Sequence, residues 1–168
     1  MKKICLILIL IPTLSLGLTF KNGVQVDENA VYFELREVSN SEAVCNDGKL
    51  ANYWIAKQDS NKWLIQFPGG GSGWPAEYFK NRDHFLKSPV SEDHPNRFLK
   101  SSGIAEQFFS MGYNVIWLHY CSSDNYNGNH FNLIDGQQVP FKGKLIVDSI
   151  ISEYKKDLEA STDLVVAG

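Results

Sequence analysis

The sequence is short of cysteine, of long apolar runs and of net charge, and each shortage narrows what the chain can do. Its three cysteines, Cys5, Cys45 and Cys121, include no C-x-x-C pair, so their spacing suggests no metal site. The four histidines, His84, His94, His119 and His130, are scattered, with no His-x-x-x-His and no glutamate pairing, and a metal centre is not expected. Lys and Arg number 16 against 19 Asp and Glu, giving a formal charge of -3. No stretch collects the cations on one face, which argues against a nucleic-acid partner. The run Ile4 to Ile11 falls short of the ~20 apolar residues that span a bilayer, so no stable membrane anchor is expected. Internal repeats and low-complexity linkers are missing too. What remains is a 168-residue chain, 43% hydrophobic and 12% aromatic, enough to bury a core in one domain.

The first residues read as a secretion signal. Lys2 and Lys3 make a basic start, Ile4 to Ile11 an apolar run, and Pro12 and Thr13 interrupt it before Leu14 to Leu18. Ser15 and Gly17 put small residues at the spacing signal peptidase prefers, which predicts residues 1–17 as a signal peptide and 18–168 as the domain. Secretion would remove Cys5 and leave Cys45 and Cys121 in an oxidising compartment. There they can pair, or either can be a buried free thiol.

Along the chain, Val31 to Val38 alternates as a strand, with Tyr32, Glu34 and Arg36 on one face and Val31, Phe33 and Leu35 on the other. Asn46-Asp47-Gly48 is a turn, and Tyr53 to Ala56 can return as a second strand. Trp63 to Phe67 and Val115 to His119 are short apolar runs of the kind covered on both faces. Residues 74–101 are expected to be mostly loop, and Ser101 or Ser102 can cap a short helix from Ile104 to Ser110 that Gly112 stops. A polar loop is expected from Cys121 to Gln138. Val147, Ile150, Ile151, Tyr154 and Leu158 keep helical spacing over three turns. Asp163 to Ala167 reads as a third core strand running into Gly168. Strands alternating with helices predict an α/β fold with a largely parallel sheet flanked by helices, incomplete within these residues.

The chemistry-bearing stretch is Trp63-Leu-Ile-Gln-Phe-Pro-Gly-Gly-Gly-Ser-Gly-Trp74. A buried strand that empties into glycines brings bare N–H groups to its carboxyl end, the edge where α/β sheets bind ligands. Glycine lets such a backbone turn its amides toward a developing oxyanion with no Cβ in the way. The plain alternative is a flexible turn. Gly71, Gly73 and Ala76 also fit G-x-G-x-x-A, but the second strand that a dinucleotide site needs is replaced by Pro89 and the polar run Ser91 to Pro95. Ser122 and Ser123 lack the G-x-S-x-G flanks of an esterase nucleophile and read as loop residues. Trp74 either lines an acyl or alcohol pocket or packs the loop down. His119 reads as a structural hydrogen-bonder.

Strand, glycine loop, helix, strand, helix, strand is the order that in α/β-hydrolases leads to the nucleophile elbow. Five blocks then carry a family likeness. Ala43-Val-Cys-Asn-Asp-Gly48 resembles the cysteine-aspartate-glycine motif that opens pectin acetylesterases and Notum-like carboxylesterases, and Trp63 to Trp74 resembles their glycine-run block. Tyr120-Cys-Ser-Ser-Asp124 resembles their tyrosine-cysteine motif, Phe141-Lys-Gly-Lys144 the start of the helix before their elbow, and Leu164 to Gly168 the strand that enters it. In two places the chain departs from the pattern: Pro68 replaces a usual glutamate, and Ser72-Gly73 separate the glycines from Trp74. The resemblance implies a secreted serine carboxylesterase that needs no cofactor. Its substrate would be an acetylated polysaccharide or an acylated protein, and its Ser-Asp-His triad would lie beyond Gly168. On that reading the 168 residues alone are inactive. Gly70 and Gly71 become candidate oxyanion-hole donors, and the blocks that hold Cys45 and Cys121 suggest a bridge between them. The alternative from another class is a non-catalytic secreted module that keeps this half of the fold as a binding surface. Amino-terminal sequencing of secreted material should begin near Leu18; material still beginning at Met1 would contradict the signal reading.

Overall fold

In the computed structural model, the structure describes residues 32–71 and 103–168 in full, and the strand segments 19–21, 24–26 and 98–100. Residues 1–30 form one unit and residues 31–168 another. In the first, β1 (Thr19–Lys21) and β2 (Val24–Val26) pair antiparallel. The predicted signal peptide, residues 1–17, lies outside the described residues.

The second unit is a mixed α/β fold. Its strands are β3 (Tyr32–Glu37), β4 (Asn52–Ala56), β5 (Lys62–Gln66), β6 (Phe98–Lys100), β7 (Asn114–Leu118), β8 (His130–Ile134), β9 (Gln137–Phe141) and β10 (Asp163–Ala167). Its helices are α1 (Gly103–Ser110), α2 (Gly143–Glu153) and α3 (Lys155–Glu159). Six strands form one sheet in the order β10-β5-β7-β4-β3-β6. The pairings β10–β5 and β5–β7 are parallel, while β7–β4, β4–β3 and β3–β6 are antiparallel. The sheet is therefore mixed rather than largely parallel. Residues 38–51, which join β3 to β4, contain no helix, and a parallel return needs a crossover long enough to hold one.

Both faces of the sheet are covered. On one, Ala105, Phe108 and Phe109 of α1 pack with Phe33, Leu35, Trp54, Leu64 and Val115. On the other, Ile146, Ile150, Tyr154 and Leu158 of α2 and α3 pack with Tyr53, Ile55, Trp63, Ile65, Ile116 and Leu118. Covering on both sides explains the continuous apolar runs of β5 and β7, and every residue of β4 is buried. The helical spacing from Val147 to Leu158 is real but broken at Tyr154, which separates α2 from α3. Its buried ring meets Trp63 at 5.6 Å, and its hydroxyl lies 3.0 Å from that of Tyr53, which donates to Glu153.

One other expectation is corrected. The polar loop ending at Gln138 contains the β8–β9 hairpin, whose turn residues Asp135 and Gly136 both adopt positive φ, 51° and 78°. Two consecutive left-handed residues are what a two-residue hairpin turn requires, and Asp-Gly supplies them. Among the described residues β10 pairs with β5, and its Leu164 is 46% and its Val166 63% exposed. Among the described residues, no helix is long and apolar enough to cross a membrane.

A disulfide joins Cys45 to Cys121, with 5.0 Å between their Cα atoms and a sequence separation of 76. Beside it, the Asn46 side-chain amide donates to the carbonyls of Ser122 and Pro140 at 3.1 and 2.6 Å. Replacing both cysteines by serine should lower the free energy of unfolding by roughly 4 kcal/mol, the chain-entropy value for so long a loop. Denaturant melts of the two proteins give that difference directly, and a loss under ~1 kcal/mol would show that packing alone holds the two segments together.

Candidate functional site

The chain leaves β5 for β7 on one side and later returns to β10 on the other. Strand order thus reverses around β5, and open α/β sheets bind ligands outside the carboxyl ends of strands at such a point. Here β5 runs into Phe67-Pro68-Gly69-Gly70-Gly71 and β10 into Gly168. The two ends are adjacent: Phe67 N–H donates to the Ala167 carbonyl at 2.7 Å.

Two tyrosines from the segment after β7 hold the glycine loop. The Tyr126 hydroxyl donates to the Pro68 carbonyl at 3.0 Å, and the Tyr120 hydroxyl donates to the Gly71 carbonyl at 2.7 Å. Their rings lie 4.8 Å apart, and Tyr126 meets Phe67 edge-on at 5.1 Å. Burial, and then the neighbouring Tyr120 and Asp124, push the Tyr126 phenol far above its ordinary range, so it stays a neutral donor. The Tyr120 ring lies so close over Gly70 that a Cβ there would overlap its Cδ1 and stand 2.7 Å from Cε1. Gly71 has φ 77°, a conformation glycine adopts without strain. The carbonyls at both ends of the loop are thus taken by phenols. Amide N–H donors suit an oxyanion.

Asp124 organises the segment that carries these tyrosines. One carboxylate oxygen accepts from the Ser122 hydroxyl at 2.6 Å and from Tyr126 N–H at 3.0 Å. The other accepts from Gly128 N–H at 3.0 Å and from Gly143 N–H at 2.8 Å. Gly143 opens α2, and Lys142 at its N-cap makes no side-chain cap, so Asp124 caps that helix from across the loop. A Cβ on Gly128 or Gly143 would strike the carboxylate.

The predicted site residues separate clearly. Gly70 and Gly71 sit in the clamped loop, and Gly168 lies beside it, where a Cβ would be 3.2 Å from the Phe67 carbonyl oxygen. Trp74, Gly73, Ala76, His84 and His94 lie outside the described residues. Ser122 and Ser123 are buried; the hydroxyl of Ser122 is committed to Asp124, and Ser123 adopts φ 53°. His119 follows β7 and is half-buried, and His130 is exposed and stacks on Phe141 at 5.7 Å. Among the described residues, no three His, Cys, Asp or Glu side chains gather as metal ligands would. Sequence reasoning missed Tyr120, Tyr126, Asp124, Gly128 and Gly143 as parts of the site. Asp124 two residues after a serine carries a weak turn signal, but its bond to Gly143 spans 19 residues and leaves no local trace.

A cavity of about 230 Å³ lies at the opposite edge, lined by Lys57, Trp63, Asn114 and Asp157 among others. Lys57 covers the Trp63 ring at 5.3 Å and pairs with Asp157 at 3.1 Å, which closes the aromatic surface to a ligand. The carboxyl edge is the better site.

Comparison with known proteins adds the family. The family model described as pectinacetylesterase matches residues 25–168. Palmitoleoyl-protein carboxylesterase notum2 of Xenopus laevis is 26% identical over 142 residues, 80% of this chain and 29% of that protein. Palmitoleoyl-protein carboxylesterase NOTUM of Schmidtea mediterranea is 27% identical over 135 residues, covering 75% and 25%. The Homo sapiens protein of the same name is 26% identical over 136 residues, covering 77% and 27%. The chain therefore spans under a third of the length of these relatives.

The loop geometry predicts a contrast between neighbouring glycines. Gly70→Ala should cost about 1–3 kcal/mol, because Tyr120 is tied to Gly71 and Asn125 and cannot swing away. Gly69→Ala meets nothing within 4 Å and should stay within about 0.5 kcal/mol of the parent. Equal melting temperatures for the two variants would contradict the clamp.

Proposed function

The chain belongs to the pectinacetylesterase family, and we propose that the protein carrying it is a secreted carboxylesterase whose oxyanion hole includes the amide of Gly70 or Gly71. One observation carries the reading: a glycine loop held by its carbonyls at the carboxyl end of β5, where strand order reverses. From β5 the chain passes through the glycine loop, β6, α1, β7, the β8–β9 hairpin, α2 and α3 to β10; within that series the glycine loop, α1, β7, α2 and β10 follow the order that in α/β-hydrolases precedes the nucleophile elbow, which supports assigning that fold.

On this reading, a serine beyond Gly168 attacks the ester carbonyl and a histidine takes its proton, oriented by an aspartate. The carbonyl oxygen gains charge as the tetrahedral intermediate forms, and the loop amides stabilise it. Amides whose orientation is set before the reaction need no reorganisation at the barrier. Neither serine after β7 suits the nucleophilic role, since Ser122 donates to a carboxylate rather than to a histidine and both are buried. The ester is an acetylated polysaccharide or an acylated protein; the relatives' names speak for the second, and the family's description for the first. Trp74 is proposed to line the acyl or alcohol pocket. The Cys45–Cys121 disulfide suits an oxidising, extracellular location.

The full-length protein should hydrolyse p-nitrophenyl acetate or butyrate, and residues 1–168 alone should not. In the full-length protein Gly71→Val should cut kcat by ~10²-fold or more, the scale of a lost oxyanion donor, with circular dichroism showing that the variant folds. Activity of the short chain that Ser122→Ala or Ser123→Ala abolishes would overturn the assignment.

A further inference from the structure

We infer that Asp124 is a positioning residue for the glycine loop, acting through Tyr126 and Tyr120; this deepens the esterase reading and rests on it. The carboxylate touches no residue of the loop. It fixes instead the backbone from which both phenols reach that loop.

The first support is the connectivity. Asp124 accepts from Tyr126 N–H at 3.0 Å, and the hydroxyl of the same tyrosine donates to Pro68 at 3.0 Å. Between them, Asn125 N–H donates to the Tyr120 hydroxyl at 2.9 Å, and that hydroxyl donates to Gly71 at 2.7 Å. One end of the loop is thus tied directly to Tyr126 and the other, through the Tyr120 hydroxyl, to Asn125, and Asp124 opens the turn that holds both.

The second support is conformational. Ser123, Asn125 and Tyr126 all have positive φ, 53°, 54° and 60°. Side-chain-bearing residues seldom adopt this region, and three within four positions persist only where the surroundings over-determine them. Asp124 supplies that determination through four donors on two oxygens. Strain gathered beside a ligand-binding edge is a pattern associated with function.

The third is the cradle. Gly128 and Gly143 both leave the space the carboxylate fills, and a Cβ at either would displace it. Because the carboxylate occupies the amino end of α2, that end serves the turn rather than a substrate anion. An aspartate suits this place because all four partners are donors. Asparagine would turn an N–H₂ group toward two of them and lose those bonds.

The experiment compares Asp124→Asn, Tyr126→Phe and wild type in the full-length protein, by amide hydrogen exchange and by steady-state hydrolysis of p-nitrophenyl acetate. Asp124→Asn should speed exchange at 66–71 by about tenfold or more and leave β4 at its wild-type rate. It should lower kcat by ~10²-fold while KM changes by less than about threefold, the split expected when a transition-state interaction is lost. Tyr126→Phe should move both readouts the same way by a smaller factor. Unchanged exchange at 66–71 in a folded Asp124→Asn protein would overturn the inference, as would acceleration spread equally over β4. If Asp124→Asn does not fold, Tyr126→Phe decides on the same two criteria. If wild type hydrolyses no ester, the esterase reading fails, and the exchange comparison alone upholds or overturns the positioning role.

Discussion

The carboxylate of Asp124 is the constraint on which the site depends. Four donors from three places in the sequence converge on its two oxygens: a serine hydroxyl, two loop amides and the first amide of α2. Hydrogen bonds to a charged acceptor are stronger than neutral ones, and leaving such donors unpaired in a partly buried site costs about 1–3 kcal/mol each. One carboxylate therefore holds a turn in a conformation the backbone would otherwise avoid. The same group sets where α2 begins, and through α2 where the cover of one sheet face lies.

Around this point the fold divides its tasks. Strands β4, β5 and β7 are buried between helices on both faces and give a rigid base. The disulfide and the Asn46 side chain tie the segment after β7 to the turn between β3 and β4. The glycine loop packs through Phe67 and under the Tyr120 ring, and two phenols hold its carbonyls. A loop that must offer amides to a transient charge needs small residues, and small residues do not fix a conformation. Holding it from outside resolves that conflict.

Much of the fold was legible because it rests on local periodicity. The alternation in β3, the apolar runs of β5 and β7 and the helical spacing of Ile150, Tyr154 and Leu158 all follow from which faces are covered. The antiparallel part of the sheet was not legible, since strand direction depends on connections rather than on the strands themselves. The β8–β9 hairpin could have been read from Asp135-Gly136, but a run rich in Asn and Gly masked the turn signal. The glycine run after β5 was visible, whereas its clamp was not. Tyr120 and Tyr126 look like ordinary loop aromatics until Pro68 and Gly71 are brought to them by the sheet, and no local pattern links Asp124 to Gly143.

In the proposed reaction the loop after β5 receives the charge that develops on an ester carbonyl. The most direct measurement is a crystal structure of the full-length protein trapped covalently by a p-nitrophenyl phosphonate, whose tetrahedral phosphorus stands for the acyl carbon of the intermediate. The account predicts one phosphonyl oxygen within about 2.7–3.1 Å of the amide nitrogen of Gly70 or Gly71, and a bond to a serine beyond Gly168. A phosphonate bound to Ser122 or Ser123, or one whose oxygens lie away from the glycine loop, would contradict it.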